Sequence, residues 1–203
     1  MSLSIIDYGA GNIFNLAKAF EQFNCKVKII KSGKEVEKSD RLVIPGVGSF
    51  NDGIKNLKRK KLIESIRNYV EKDRPLLGIC LGMQYLMNYS EENGIHKGLG
   101  IIDGKVTLFK RKPINLKIPH MGWNKLIYNK NSFFNDISKK SYFYFCHSFF
   151  VKPKNSKVIL AKAKYGENLF CAALMSKNII GCQFHPERSG REGLKILENF
   201  LKI

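Results

Sequence analysis

Acidic residues are scarce in this chain: 17 Asp and Glu stand against 35 Lys and Arg, a formal charge of +18 over 203 residues. That balance invites a nucleic-acid reading, but the kind and placement of the cations argue against it. Arginine is also scarce, 7 residues against 28 lysines, and phosphate-tracking surfaces favour arginine with interleaved aromatics. The densest group, Lys55 to Lys61, falls on a short helix and its exit, and Lys110-Arg111-Lys112 reads as a loop. A generally basic, solvated surface is expected, with no nucleic-acid partner, although a basic rim would still attract an anionic phosphorylated substrate. No apolar run reaches membrane-spanning length, and the first residues lead straight into a strand-like Leu3–Ile6 with no cleavable signal. No membrane association is expected. Cysteine is sparse and odd in number, 5 without CxxC spacing, which disfavours both a disulfide framework and a zinc ribbon. A reducing compartment, the cytoplasm, is the expectation. Linkers and internal repeats are missing too, so residues 1–203 are expected to form a single domain with a substantial core.

What is present is an alternation. Leu3–Ile6, Val27–Ile30 and Leu42–Ile44 are short apolar strands, and Ile13–Phe23 between the first two puts Leu16, Ala17, Phe20 and Phe23 on one helical face. Leu57, Leu62, Ile66 and Val70 recur at helical spacing ahead of a fourth strand. This rhythm predicts an α/β fold, a mostly parallel central sheet with helices on both faces. The second half changes character. Lys105–Phe109, Tyr142–Val151, Val158–Ala163, Phe170–Leu174 and Ile179–Phe184 are rich in β-branched and aromatic residues, predicting an additional antiparallel or mixed β layer on the parallel core. Ser90 to Gly98 is polar and reads as a loop, and Arg191–Leu201 as a closing helix with Leu194, Leu197 and Leu201 inward.

Chemistry concentrates at Gly78-Ile79-Cys80-Leu81-Gly82-Met83-Gln84. The pattern reads as a buried strand, a sharp turn at Cys80 and a helix from Leu81. Gly78 and Gly82 remove the β-carbons that would clash where the chain reverses, so that the central side chain stands exposed. A cysteine nucleophile needs a base, and the base needs a third group to fix its tautomer. Gln183-Phe184-His185-Pro186-Glu187 supplies both. On an extended segment His185 and Glu187 project to one side, with the imidazole turned toward a cysteine on the neighbouring strand. Pro45-Gly46-Val47-Gly48-Ser49-Phe50 leaves the third strand as a glycine turn. Beside the elbow, its Val47-Gly48 backbone can face the Leu81 N–H and complete an oxyanion hole. Alternation along Tyr144-Phe145-Cys146-His147-Ser148-Phe149 leaves Tyr144, Cys146 and Ser148 on one side. The two glycines in Asp7 to Asn12 match neither a Walker loop nor a dinucleotide fingerprint.

GICLGMQ with QFHPE resembles the class I (triad) glutamine amidotransferases. PGVGSF, PHMGWN (Pro119 to Asn124), YFCHSF and QFHPERS together resemble the glutaminase-subunit family of imidazole glycerol phosphate synthase, from Asp7 through the final helix. Arg188, Ala10 and Phe149 are departures from the usual lysine, methionine and tyrosine. The resemblance implies catalysis by Cys80, His185 and Glu187 without metal or organic cofactor. It implies glutamine contacts from Gln84, Glu92, Tyr144, His147 and Ser148. It also implies a (β/α)₈ cyclase subunit as partner, met by Asn12, Trp123 and Arg188, in histidine biosynthesis. A paralogue aminating a surface sugar, a non-catalytic binding subunit and a nucleic-acid binder are the alternatives. The first shares the same site chemistry, because the ammonia acceptor never touches this chain.

Overall fold

Strands and helices alternate through the first third of the chain in the computed structural model, which describes residues 1–111, 113–129 and 131–203. Lys112, the end of the basic loop noted above, lies outside the described residues. β1 (Ser2–Ile6), α1 (Ile13–Glu21), β2 (Lys26–Ile30), α2 (Gly33–Glu37), β3 (Leu42–Ile44), α3 (Phe50–Arg59), α4 (Ile63–Glu71) and β4 (Leu76–Ile79) follow in turn. The helix starts are written locally. Asn12 accepts from Asn15 N to cap α1, Ser49 from Asp52 N to cap α3, and Ser32 with Glu35 makes a capping box for α2. Leu57 to Val70 is not one helical stretch. Lys61 adopts a left-handed φ of 56° and splits it into α3 and α4. The change of phase buries Tyr69 fully and leaves Val70 half-exposed.

After the elbow come α5 (Leu81–Tyr85), β5 (Tyr89–Ser90), β6 (His96–Lys97), β7 (Gly104–Leu108), β8 (His120–Lys125), β9 (Ile127–Tyr128), β10 (Tyr142–His147) and β11 (Phe149–Pro153). β12 (Ile159–Tyr165), β13 (Asn168–Ser176), β14 (Ile179–Cys182) and α6 (Gly190–Leu201) complete the chain. The main sheet runs β2-β1-β3-β4-β14-β13-β12-β9. The first five of these strands are parallel, and the last three are added antiparallel. The second half therefore does not only form a layer on the core; β12, β13 and β9 extend the central sheet itself. The rest form a β10–β8 pair and a β11-β7-β5-β6 sheet.

Residues alternate between two apolar cores. Val43, Leu77 and Ile79 join α1 and α6 on one face, and Leu42, Ile44 and Leu76 join α2, α3 and α4 on the other. A strand covered on both faces reads as an unbroken apolar run, and β3 and β4 do. Two expectations need correcting here. Ser90 to Gly98 is not wholly a loop: Asn93 (φ 53°) and Gly94 (φ 114°) turn a small hairpin between β5 and β6. Tyr142–Val151 is not one strand, because it breaks at Ser148, with β10 pairing β8 and β11 pairing β7. No helix among the described residues is long and apolar enough to cross a membrane.

Candidate active site

β4 ends at Ile79, and Cys80 follows at φ 53°, ψ −107°, with its N–H donated to Cys182 O at 2.7 Å. That turn is possible because Gly78 and Gly82 bring no β-carbons into surroundings that have no room for them. One added at Gly82 would lie 1.9 Å from Ile44 O, and one at Gly78 would lie 2.7 Å from Gly82 O. Gly46 is equally constrained, since a β-carbon there would meet Leu81 Cβ at 2.6 Å and Gly82 N at 2.8 Å. The loop after β3 is thus pressed against the elbow. Tyr8, fully buried, ties the same loop down by donating its hydroxyl to Pro45 O at 2.7 Å.

β14 lies parallel beside β4 with Cys182 opposite Ile79, so the residues just past each strand meet at the carboxyl edge of the sheet. His185 sits there. Its N–H donates to Tyr144 O at 2.9 Å, and Ser189 Oγ donates to His185 O at 2.6 Å while accepting from Tyr144 N at 3.0 Å. Nδ1 of His185 is 2.9 Å from Oε1 of Glu187, both side chains being 5% exposed. The pairing agrees with the sequence expectation but its backbone does not. Pro186–Arg188 forms a 3₁₀ turn, and the carboxylate reaches Nδ1 from that turn instead of projecting from an extended segment. Oε2 of Glu187 is buried with no hydrogen-bond partner among the described residues. Burial pulls the His185 pKa down. Cys80, by charge and hydrogen bond, and Glu187 outweigh that and raise it to about 10. The imidazole therefore stands beside Cys80 as a proton-carrying cation over the physiological range.

A cleft of about 310 Å³ opens over these groups. Cys80, Leu81, Val47, Gly48, Gln84, Glu92, His147, Ser148, His185 and Arg188 line it, as do Pro119, Cys146 and Phe149, to which the sequence assigned no role. Glu92 is held at the start of α3, where Oε2 accepts from Phe50 N at 2.8 Å. A larger cavity of about 680 Å³ between α3, α4 and Ile95–Gly98 contains lysines but no nucleophile, so chemistry and not volume locates the site.

Four expected site residues lie outside this lining, among them Glu187, which meets His185 Nδ1 instead. Tyr144 is not a cleft residue. Its ring is 5.9 Å from that of Trp123 and under the Arg188 guanidinium at 4.5 Å, because Tyr144 and Cys146 occupy the face of β10 opposite buried Phe143, Phe145 and His147. Trp123 is 56% exposed. Asn12 is exposed as the α1 cap; its neighbour Gly11 abuts Pro45, since a β-carbon there would lie 3.0 Å from the Pro45 side chain. His147 reaches the cleft but its ring is committed inward. Nδ1 donates to Phe149 O at 2.8 Å, and Nε2 is 3.2 Å from Nδ1 of His120. Burial lowers the pKa of His147 to about 3 and of His120 to about 4, so both are neutral at pH 7.

An α/β sheet with a cysteine on a glycine elbow and a carboxylate-paired histidine on the adjacent strand defines a class, and comparison with known proteins agrees. The class-I glutamine amidotransferase family profile matches residues 4–203, and the chain belongs to that family. PurLQS from Thermotoga maritima shares the fold at TM-score 0.78 and 18% identity, over 99% of this chain and 97% of that one. Relatives by sequence are narrower. The chain is 46% identical to imidazole glycerol phosphate synthase subunit HisH 1 of Campylobacter jejuni subsp. jejuni serotype O:23/36 (strain 81-176), over 99% of this chain and the whole of the relative. It is 43% identical to subunit HisH of Aquifex aeolicus (strain VF5), over 98% of this chain and 96% of that one. Within the class, the chain groups with the HisH subunits, as its motifs led one to expect.

Proposed function

We propose that this chain is a glutaminase subunit that hydrolyses glutamine to glutamate and ammonia and passes the ammonia to a (β/α)₈ cyclase partner. There it would be used to form imidazole glycerol phosphate and aminoimidazole carboxamide ribotide in histidine biosynthesis. The observation that carries this reading is the His185–Glu187 pair at 2.9 Å, delivered by β14 to the cysteine at the end of adjacent β4. Glu187 orients His185, whose imidazolium carries the proton taken from Cys80 and holds the sulfur as a thiolate. The thiolate attacks the side-chain amide carbon of glutamine. Backbone N–H groups of Leu81 and of the Val47-Gly48 loop receive the oxyanion, and losing one such donor costs roughly 10²–10³ in rate at comparable sites. His185 gives its proton to the departing nitrogen, ammonia leaves, and water activated by the same imidazole hydrolyses the thioester. Glu92 and Gln84 line the cleft where the amino-acid end of glutamine would lie, and a carboxylate at Glu92 suits an ammonium group. Trp123, Arg188 and Asn12 are proposed partner contacts.

Cys80→Ala tests the reading. With the partner present, glutamine-dependent synthesis should vanish while synthesis from added ammonium salts persists, because the elbow supplies only ammonia. Undiminished glutamine turnover in that variant would remove Cys80 from the mechanism.

A further inference from the structure

β14 is apolar throughout and Phe184 beyond it is fully buried, yet Gln183 between them is a polar side chain with no exposed surface. A buried primary amide is unfavourable unless its donors and acceptor are used. The acceptor Oε1 of Gln183 takes a hydrogen bond from Gln84 Nε2 at 3.1 Å, and its own Nε2 donates to Cys80 Sγ at 3.6 Å. Gln84, 4% exposed, directs its other N–H to Phe149 O at 3.0 Å. That carbonyl also accepts from His147 Nδ1 at 2.8 Å, so it is held from two sides.

The sense of the surrounding bonds is determined. His147 Nδ1 faces a carbonyl and must carry the ring proton. Nε2 then accepts from His120 Nδ1 at 3.2 Å, and His120 Nε2 accepts from Asn124 Nδ2 at 3.4 Å. Both rings are packed among Phe109, Phe145 and Phe170, which leaves them little freedom to turn. The Phe149 carbonyl is therefore a rigid anchor for Gln84. Gln84 in turn occupies the oxygen of Gln183 and leaves its nitrogen to face the sulfur.

We propose that Gln183 is a further catalytic residue of this site, a neutral donor that holds and stabilises the Cys80 thiolate, with Gln84 positioning it from behind. The proposal rests on the reading of Cys80 as the nucleophile. A hydrogen bond to an anion is stronger than one to a neutral group. The contact thus favours the ionised sulfur, and it weakens once the sulfur is acylated. Its effect falls on readiness for attack, not on the oxyanion.

Alkylation of Cys80 by iodoacetamide, followed against pH on the full chain and located by peptide mass, reads this directly. In Gln183→Met, which keeps length without the donor, the midpoint of the alkylation profile should rise by about one pH unit, about tenfold less thiolate on the acid limb. The plateau rate at high pH should rise as well, because a more basic thiolate is the better nucleophile. Gln183→Glu places a carboxylate beside the sulfur and should move the midpoint further. Gln84→Met should shift it the same way, and the double variant Gln84→Met/Gln183→Met no more than Gln183→Met alone. A structural role would alter the melting temperature but leave the profile in place. Unshifted midpoints in the Gln183 variants would overturn the proposal; Gln183→Glu, which retains the acceptor for Gln84, decides the matter if Gln183→Met fails to fold. The Cys80→Ala assay reports separately on the nucleophile. Glutamate release surviving there would overturn the role of Cys80 itself, whereas a dead Cys80→Ala with a wild-type profile in the Gln183 variants overturns only the thiolate donor.

Discussion

Cys80 adopts φ 53°, ψ −107°, a conformation that costs on the order of 1–3 kcal/mol for a residue with a side chain. The fold tolerates it because β4 is buried on both faces and the bond from Cys80 N to Cys182 O fixes the end of the strand. Beside it, His185 is the group whose charge state is set most strongly by its neighbours. Its folded pKa of about 10 stands above the ordinary 6.5. A raised value means that the stabilisation from the imidazolium is complete below pH 6.5 and is lost as pH rises through about 10. In an NMR titration the His185 ring signals should stay at imidazolium positions through neutral pH and move only near pH 10. In Cys80→Ala, which removes the attracting sulfur, the midpoint should fall. A His185 midpoint near 6.5 in the unaltered protein would dissolve the ion-pair description.

At the scale of elements, the loop between β3 and α3 is the piece most dependent on its neighbours. Gly46 must let the elbow approach, Gly48 holds φ 101° with open space around it, and Tyr8 grips the Pro45 carbonyl from β1's end of the sheet. Tyr8→Phe removes the buried hydrogen bond to Pro45 O and the longer one, at 3.4 Å, to the Tyr85 hydroxyl. The net loss should be about 1 kcal/mol, a fall in melting temperature of roughly 2–4 °C at this chain length. Glutamine turnover should fall more steeply than this stability loss implies, since the same peptide run carries Val47 and Gly48. Thermal denaturation alongside a glutaminase assay checks both, and turnover equal to that of the parent would free the loop of this dependence. The hairpin between β5 and β6 shows the opposite case. Its Asn93-Gly94 turn is a local signal, readable in sequence, and the polar composition around it obscured it.

For the whole molecule, the face carrying Trp123, Tyr144 and Arg188 adjoins the cleft through Arg188. Arg188 belongs to both, lining the cleft while covering the Tyr144 ring at 4.5 Å. An isolated glutaminase that ran freely would waste glutamine, and the glycines of the Pro45 to Ser49 loop permit peptide rotations that other residues resist. We expect low glutamate release from the chain alone and a large rise when the proposed cyclase partner and a ligand at that partner's own site are both added. Trp123→Ala should weaken partner affinity about tenfold or more, as loss of an aromatic anchor does, with little change in melting temperature because the indole is already 56% exposed. Full activity without partner would end the coupling argument and leave the cleft chemistry standing.

The sequence by itself determined what depends on near neighbours along the chain. The glycines flanking Cys80 and the apolar runs of β3 and β4 stand out as short local patterns, so pattern alone located them. Tertiary structure decided the facing of residues whose surroundings come from distant segments. That the Tyr144 ring meets Trp123 and Arg188 while the His147 ring reaches His120 depended on the pairing of β10 with β8 and on the break at Ser148 where β11 turns to β7. Gln183 had no visible role as one polar letter at the end of an apolar strand. It acquired a candidate one only when packing brought Gln84 to one end of its amide and the Cys80 sulfur to the other, across 99 and 103 residues of chain. A hydrogen bond is specified by the geometry of both partners, and sequence separation carries no record of where the second partner will stand.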